Sequence, residues 1–548
     1  MQRPLAGLTR KNFARETLAG VTLLAISVPL NIGYAQIAGL PPTAGLYALV
    51  VPTIVFVLLA SSRQVVASTD AAGAALVASS LIGITVAGAS SWVAMAAAQA
   101  ILGGVFFIVC AVFKLGFIAD YLSRPILVGF VGGLALDISI SQIARMLGVS
   151  LDGAVEFWEK TVTLLENLGE TNVWSVLLAA GSLAVLIVGR RLSKRVPWAL
   201  IVMIAATLVT IGFGLAARGV ATLGDVPAGP PVFAIPQLSL SEWIALVPSA
   251  LALTAVTVAE GLLISRRYAE KNGYRTDANR DLMAFGAANI AAGLSSSFSM
   301  GSSTSRTAAM DDSGSRTQWP SIVLAVLTLA LLIFGTALLA DVPSPAIGAI
   351  VIVAIARLIG IAEFRELWKL SKAELAVGLV CFVSVLIVGP IGGIGIAFVL
   401  SLIIMVSRVA RPAIDVLSNG DDPADSLLDG HDAHETVPGV TVLRFAAPLF
   451  FANSAALPER VREVVTHAPT PTRAIVIDLE AVTDIDVTAA GALTGLVAWC
   501  QQKGIQLAWS RVRPELRERL EHFELLDGTE EFRTNRAAVS ALRDAPSA

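Results

Sequence analysis

The 548-residue sequence has little cysteine, little histidine and little charge. Its three cysteines, Cys110, Cys381 and Cys500, are an odd number without CxxC spacing, which excludes a disulfide framework and a zinc site. Of four histidines, His431 and His434 share one polar stretch, too few to build a metalloenzyme. Charged residues are 15% of the chain and hydrophobic residues 55%, whereas soluble proteins carry about 25% and about 45–50%. A purely soluble enzyme is therefore excluded. No nucleic-acid or cofactor motif is present, so neither catalysis nor a bound cofactor is expected.

The charge is unevenly spread. Residues 1–410 hold 26 Lys and Arg against 21 Asp and Glu, while residues 411–548 hold 13 against 21. The first part is about 11% charged and the second about 25%, the densities of a lipid-soluble body and a soluble tail. The net charge of −3 describes neither part.

A helix needs about 20 apolar residues to cross a bilayer core of roughly 30 Å. The hydropathy places spans near 17–36, 42–60, 68–84, 92–113, 125–147, 172–189, 197–217, 244–265, 281–297, 320–340, 345–360, 373–390 and 391–408. The small polar piece 302–310, wedged between two of these, reads as half of a broken helix and brings the number to fourteen. Arg3, Arg10, Lys11 and Arg15 before the first apolar run could introduce a signal peptide, but no small-residue cleavage site precedes Pro29. With a cytoplasmic N-terminus, and with Arg145 and Arg306 set aside as lying within spans, 22 of the remaining 24 cations fall on one face. Lys160 and Arg218 are the exceptions. This asymmetry places both termini in the cytoplasm and the acidic stretch Asp152 to Glu170 outside.

Residues 411–438, with Asp421, Asp422, Asp425, Asp429 and Asp432, read as an acidic linker. Beyond it, strands at 440–445, 473–479 and 505–511 alternate with helices at 454–465, 489–502 and 514–525, the pattern of an α/β domain with a largely parallel sheet over 439–548.

Polar groups inside spans are costly and tend to face a pathway. Ser68-Thr69-Asp70-Ala71 opens the third span and Ser303-Thr304-Ser305-Arg306 opens the broken one, 235 residues later. Small-polar residues followed by Ala-rich helix, recurring half a body apart, fit paired discontinuous helices whose amino ends attract an anion. Capping of two ordinary helices is the other reading of the same residues. Glu260 likewise has two: it snorkels toward the Arg266 cluster, about 9 Å away along a helix, or it faces a cavity and exchanges a proton. Asp137 and Arg145, two turns apart, read as a structural pair.

The run Pro29-Leu30-Asn31-Ile32-Gly33-Tyr34-Ala35-Gln36-Ile37-Ala38-Gly39-Leu40-Pro41-Pro42, with Gly45-Leu46-Tyr47 and Pro52, resembles the first-span signature of the SulP sulfate permeases, the solute-carrier 26 anion transporters. Arg63-Gln64, Glu260, Asn279-Arg280-Asp281-Leu282, Gly286, Asn289 and Ser305-Arg306-Thr307-Ala308 resemble further landmarks of that family in order. The tail is similar to its STAS domain. The resemblance implies an α-helical polytopic membrane protein of fourteen spans in two inverted repeats of seven (roughly 10–235 and 244–410). These form core and gate domains that move as an elevator, in a homodimer, with the STAS domain appended. It implies substrate-binding roles for Tyr34, Ser68, Thr69, Asp70, Ala71, Ser305 and Arg306, and coupling of a proton or sodium ion at Glu260. In the tail, Asp486-Val487-Thr488-Ala489 resembles the phosphorylation loop of anti-sigma antagonists, with Thr488 at the modified position. A helix cap is the other reading of Thr488.

The sequence departs from the family pattern in three places: Leu30 where Gln is common, Ala67-Ser68-Thr69 where Val-Gly-Pro is common, and Asp70 where an apolar residue is common. A carboxylate beside an anion repels it by a few kcal/mol at about 4 Å and intermediate dielectric unless protonated. Asp70 or Glu260 must then be neutral when the anion binds. This gives the expectation of a proton-coupled secondary active symporter for a carboxylate or dicarboxylate such as fumarate, in a bacterial-type inner membrane, with regulatory partners at the STAS domain. Sulfate or bicarbonate transport, with protons or sodium, and an anion channel are alternatives within transport. A nucleobase:proton symporter is disfavoured by the STAS tail. A membrane sensor or assembly platform acting through the STAS domain is the alternative of a different class.

Overall fold

The computed structural model describes residues 5–81, 90–116, 124–151, 156–193, 196–418, 428–429 and 435–543. Arg3, Asp152, Lys194, Arg195, Asp421, Asp422, Asp425, His431, Asp432 and His434 lie outside the described residues. The chain divides into two compact units, Met1–Ser401 and Leu402–Ala548.

The first unit is built from helices. In order these are α1 (Phe13–Ile37), α2 (Pro42–Tyr47), α3 (Val51–Leu59), α4 (Ala71–Leu81), α5 (Ser90–Val112), α6 (Arg124–Leu147), α7 (Phe157–Glu166), α8 (Val173–Leu192), α9 (Trp198–Gly212), α10 (Leu240–Lys271), α11 (Ala278–Leu294), α12 (Thr304–Asp312), α13 (Trp319–Phe334), α14 (Ser344–Ile355), α15 (Ile361–Leu370) and α16 (Lys372–Ala410). Two short strands, β1 (Ala67–Ser68) and β2 (Gly301–Ser302), immediately precede α4 and α12. Leaving α7 and α15 aside, joining α2 to α3 and each strand to its helix, and dividing α16 at its kink gives the fourteen membrane segments. Seven helical stretches are long and apolar enough to cross a bilayer by length and composition alone.

Local chemistry explains where the segments depart from uniform helix. The span expected over 42–60 is two helices, because Val50 leaves the helical region (φ −101°, ψ −92°) just before Pro52, whose ring and missing N–H prevent the helix from running through. The expected boundary between 390 and 391 falls at Gly389 (φ 80°, ψ 170°) and Pro390, which kink α16 into two limbs. Helix α10 runs well beyond the expected 244–265. A capping box starts it, with Ser239 and Glu242 each accepting from the other's backbone N–H, and its polar end continues to Lys271. Helices α5 and α11 pack backbone to backbone: a Cβ on Gly104 would lie 2.6 Å from the Gly286 carbonyl oxygen, the close approach that small residues permit between membrane helices. This gives the family landmark Gly286 a packing role.

The second unit is a six-stranded sheet in the order β4-β3-β5-β6-β7-β8, with β3 (Ile414–Ser418), β4 (Leu428–Asp429), β5 (Val440–Phe445), β6 (Ala474–Asp478), β7 (Gln506–Ser510) and β8 (Glu530–Phe532). Strands β5 to β8 are parallel, and β3 is antiparallel to both β4 and β5. Helices α17 (Ala456–His467), α18 (Val487–Gln502), α19 (Pro514–His522) and α20 (Asn535–Arg543) complete it. Alternate residues of β6 serve two cores: Ile475 and Ile477 pack with Leu457 of α17 and Leu493 of α18, while Ala474 and Val476 pack with Ala538 and Leu542 of α20. Strand β6 is thus buried on both faces, which is why its sequence is continuously apolar.

The linker expected over 411–438 begins too early. Ile414 and Val416 pair with Phe445 and Leu443 as strand β3, and the Thr436 hydroxyl donates to the Leu417 carbonyl at 2.6 Å. At the far end β8 and α20, absent from the expected pattern, close the sheet.

Asp478, at the end of β6, has a fully buried side chain held by Arg444, Arg511 and Asn535 at 3.1, 3.5 and 2.9 Å. Burial pushes the thiol of Cys500, in the same domain, up to about 11, leaving roughly 300-fold less thiolate at neutral pH than a free cysteine with a pKa of about 8.5. Cys500 is therefore a reporter of opening. Because its cationic partners are partly exposed, Asp478→Ala is expected to destabilise the domain by about 2 kcal/mol. Alkylation of Cys500 in the intact chain, followed by peptide mass spectrometry, should rise about 30-fold. An unchanged rate would mean that the Asp478 cluster contributes nothing to stability.

Candidate functional site

The polar groups inside the first unit converge on β1 and β2. The strands pair antiparallel, Ala67 opposite Ser302 and Ser68 opposite Gly301. Because the strands run in opposite directions and each leads straight into a helix, α4 and α12 leave the pair in opposite directions. Their amino ends, the positive ends of the dipoles, meet at it. The Ser303 N–H extends the ladder to the Val66 carbonyl at 3.0 Å, and the Val66 N–H donates to the Thr307 hydroxyl at 3.0 Å.

Arg306 ties this crossing together. Its side chain is fully buried. Nη1 donates to Asn31 Oδ1 at 2.7 Å and to Ser68 Oγ, and Nη2 donates to the Thr69 carbonyl at 2.6 Å. The guanidinium lies over the Tyr34 ring, 5.6 Å from its centroid. A buried cation is tolerated because acceptors replace its water, and its fork spans groups from α1 and β1 at once. Asn31, whose Nδ2 donates to the Gly45 carbonyl at 2.8 Å, is the functional residue that sequence reasoning missed. An amide within an apolar span was the signal that could have found it.

The other expected residues fall around this strut. Tyr34, Ser68, Thr69 and Ala71 are buried, and the Thr69 hydroxyl has no partner among the described residues. Thr304 and Ser305 are exposed on the first turn of α12, and Ser303 Oγ caps that helix by accepting from the Arg306 N–H at 3.5 Å. Ser303 is therefore a cap, and it caps at the crossing. Glu260, on α10, accepts from the Thr304 hydroxyl at 3.4 Å, so it faces the start of α12, away from the arginine cluster of the snorkelling reading. Asp70 is the N-cap of α4: Oδ1 accepts from the Gly73 N–H at 2.6 Å.

Asp70 reaches the crossing because residue 301 has no side chain. A Cβ on Gly301 would lie 2.5 Å from Asp70 Oδ2 and 3.1 Å from Thr257 Cγ2. Gly301→Ala should force these groups apart at a cost of about 1–3 kcal/mol, lowering anion uptake into proteoliposomes by more than about tenfold. Uptake at the wild-type rate would show that this approach is not needed.

Two further landmarks fasten the loops that enter the strands. Asp281 Oδ1 accepts from the Ser61 and Ser62 N–H groups at 2.7 and 3.2 Å ahead of β1. Asn289 Oδ1 accepts from the Met300 N–H at 2.8 Å ahead of β2. The expected pairing of Asp137 with Arg145 is not formed. Asp137 binds Lys160 of α7 at 2.9 Å, and Arg145 donates to the Gln36 side chain and carbonyl at 3.0 and 2.8 Å. Residues 137 and 145 are more than two turns apart on one helix, beyond the three- or four-residue spacing that brings side chains together. Both line a separate cavity of about 900 Å³ with Gln36, Trp92 and Lys160. In the second unit the cap of α18 is Asp486, which accepts from the Ala489 N–H at 2.8 Å. Thr488 is exposed in the first turn.

A broken-helix crossing inside a polytopic helical body, joined to a parallel α/β domain, defines a membrane transporter with an appended soluble module. Residues 13–384 match the model of the Sulfate permease family and residues 433–538 that of the STAS domain. The chain belongs to the sulfate permease family, whose members are membrane anion transporters and not enzymes. It is 35% identical over 532 residues to a "Probable sulfate transporter" of Mycobacterium tuberculosis, covering 96% of this chain and 95% of that one. It is 28% identical to "Probable sulfate transporter 3.3" of Arabidopsis thaliana, covering 92% and 84%. In fold it matches the murine Solute Carrier 26 family member A9 anion transporter in the inward-facing state, with a TM-score of 0.90 at 22% identity over 98% of this chain and 92% of that one. The transmembrane domain of a cyanobacterium bicarbonate transporter matches with a TM-score of 0.62 at 19% identity over 72% and 98%.

Proposed function

We propose that this protein is a secondary active transporter that takes up sulfate, binding it at the meeting of α4 and α12 and coupling its movement to a proton at Glu260. The observation that carries this reading is the crossing itself: a buried guanidinium and two helix amino ends supply positive potential, and the exposed Thr304 and Ser305 supply hydroxyls, beside a carboxylate hydrogen-bonded to the same turn. The names of its relatives favour sulfate. The expectation of a dicarboxylate rested on Asp70 or Glu260 having to be neutral when the anion binds, a condition that protonation meets for sulfate as well. Alternating access by an elevator movement, a homodimer, and a plasma-membrane location with both termini in the cytoplasm accompany this reading, as does regulation through the STAS domain at the exposed Thr488. The test is uptake of labelled sulfate, bicarbonate and fumarate into proteoliposomes with and without an inward proton gradient. Gradient-stimulated sulfate uptake is expected. Fumarate uptake without sulfate uptake would reassign the substrate, gradient-independent flux would indicate a channel, and no uptake of any anion would favour a sensor.

A further inference from the structure

Resting on the sulfate-transport reading, we infer that Asp70 is a second proton carrier, so that one sulfate moves with two protons and the cycle transfers no net charge. Asp70 Oδ2 and Thr257 Cγ2 both lie within 3.1 Å of the point where a Gly301 Cβ would stand. Thr257 is one turn before Glu260 on α10, and Glu260 accepts from Thr304, three residues after Gly301. The two carboxylates thus flank the same short stretch, residues 301–304, that carries the amino end of α12. The buried hydroxyls of Thr69 and Ser302, adjacent in sequence to Asp70 and Gly301, have no partner among the described residues, so the crossing holds more polar capacity than those residues use.

The charges facing this stretch are Asp70 itself, Glu260 from α10 and Arg306 from α12, with Tyr34 from α1 as the remaining titratable group. With both carboxylates ionised the empty site carries −1. Adding a dianion alone would raise this to −3 among apolar helices, with each added pair of like charges opposing binding by kcal/mol at intermediate dielectric. Two protons arriving with sulfate, one on each carboxylate, return the loaded site to −1. The loaded and empty forms then carry the same charge, and the membrane potential does no work on the passage between them. On the receiving side the sulfate and both protons leave, and both carboxylates are again ionised.

The experiment measures steady-state sulfate accumulation by the full-length protein in proteoliposomes, with the potential clamped by potassium and valinomycin. Two-proton symport predicts about 100-fold accumulation per pH unit of inward gradient, unchanged between 0 and about −60 mV. Asp70→Asn should accumulate about tenfold at zero potential and lose that accumulation at about −60 mV, because one net negative charge now enters. Asp70→Ser, which keeps a capping oxygen at the start of α4, should behave as Asp70→Asn does and guards against a merely misfolded variant. Tenfold, potential-sensitive accumulation by the wild type would overturn the proposal, as would 100-fold, potential-independent accumulation by either variant. Sulfate counterflow without any gradient tests the underlying reading separately: its absence in the wild type removes the transport reading and this proposal with it, while its presence leaves the accumulation ratio to decide.

Discussion

Replacing Arg306 by alanine is expected to abolish transport, lowering sulfate uptake by more than about 100-fold. The guanidinium is buried and supplies three hydrogen bonds, to Asn31, Ser68 and the Thr69 carbonyl. Its loss takes the guanidinium donor from the Thr69 carbonyl, at about 1–3 kcal/mol, leaves Asn31 Oδ1 and Ser68 Oγ with only each other's side chains, and removes the positive charge behind the helix amino ends. Arg306→Lys should not restore more than about a tenth of the activity. An ammonium is a compact point charge and does not reproduce a planar fork that bridges Asn31 Oδ1 and the Thr69 carbonyl from different nitrogens. Initial uptake rates in proteoliposomes, together with thermal unfolding in detergent, check both variants. Near-normal uptake by the lysine variant would mean that charge alone matters, and near-normal uptake by the alanine variant would remove Arg306 from the site.

Glu260→Gln is expected to have the second largest effect, of a different kind. The glutamine keeps the shape and an acceptor for the Thr304 hydroxyl but carries no exchangeable acid proton. Accumulation driven by an acidic exterior should fall about tenfold per pH unit, while counterflow, which needs no net proton movement, persists. The sign follows from the proposed symport: protons would enter with the anion, so lowering external pH should raise wild-type accumulation and do so less in the variant. Accumulation at the wild-type level would exclude Glu260 as a carrier.

The candidate site was legible in the sequence where polar residues interrupt apolar runs. Ser68 and Ser303 marked the two half-helices because a Ser-Thr pair has no reason to recur inside lipid-soluble segments, and the hydropathy boundary between 390 and 391 fell at the kink of α16. What could not be read was pairing at long range. Asp137 and Arg145 looked like mutual partners because only their own helix was in view, yet each found a group on another element, Lys160 and Gln36. The same limit hid β3: Ile414–Ser418 is too short to stand out beside a run of aspartates and becomes a strand only because β5 offers an edge. Asn31 was concealed within its own motif, where Tyr34 drew the assignment. Asp281 and Asn289, conspicuous as landmarks, proved to hold loops.

The two-residue ladder between β1 and β2 bears on how cargo is chosen. Ser68 and Gly301 are opposite each other in one hydrogen-bonded register, cross-braced by Arg306. The halves of this clasp come from chain segments more than 200 residues apart, yet neither can draw back without breaking the register and stranding a buried cation. Under the proposed elevator movement, cargo is let go by turning an intact cradle toward a different compartment, and the cradle keeps its radius throughout. Discrimination by size would then apply at unloading as well as at loading, and an ion slightly too large for the clasp would be refused on both sides of the membrane.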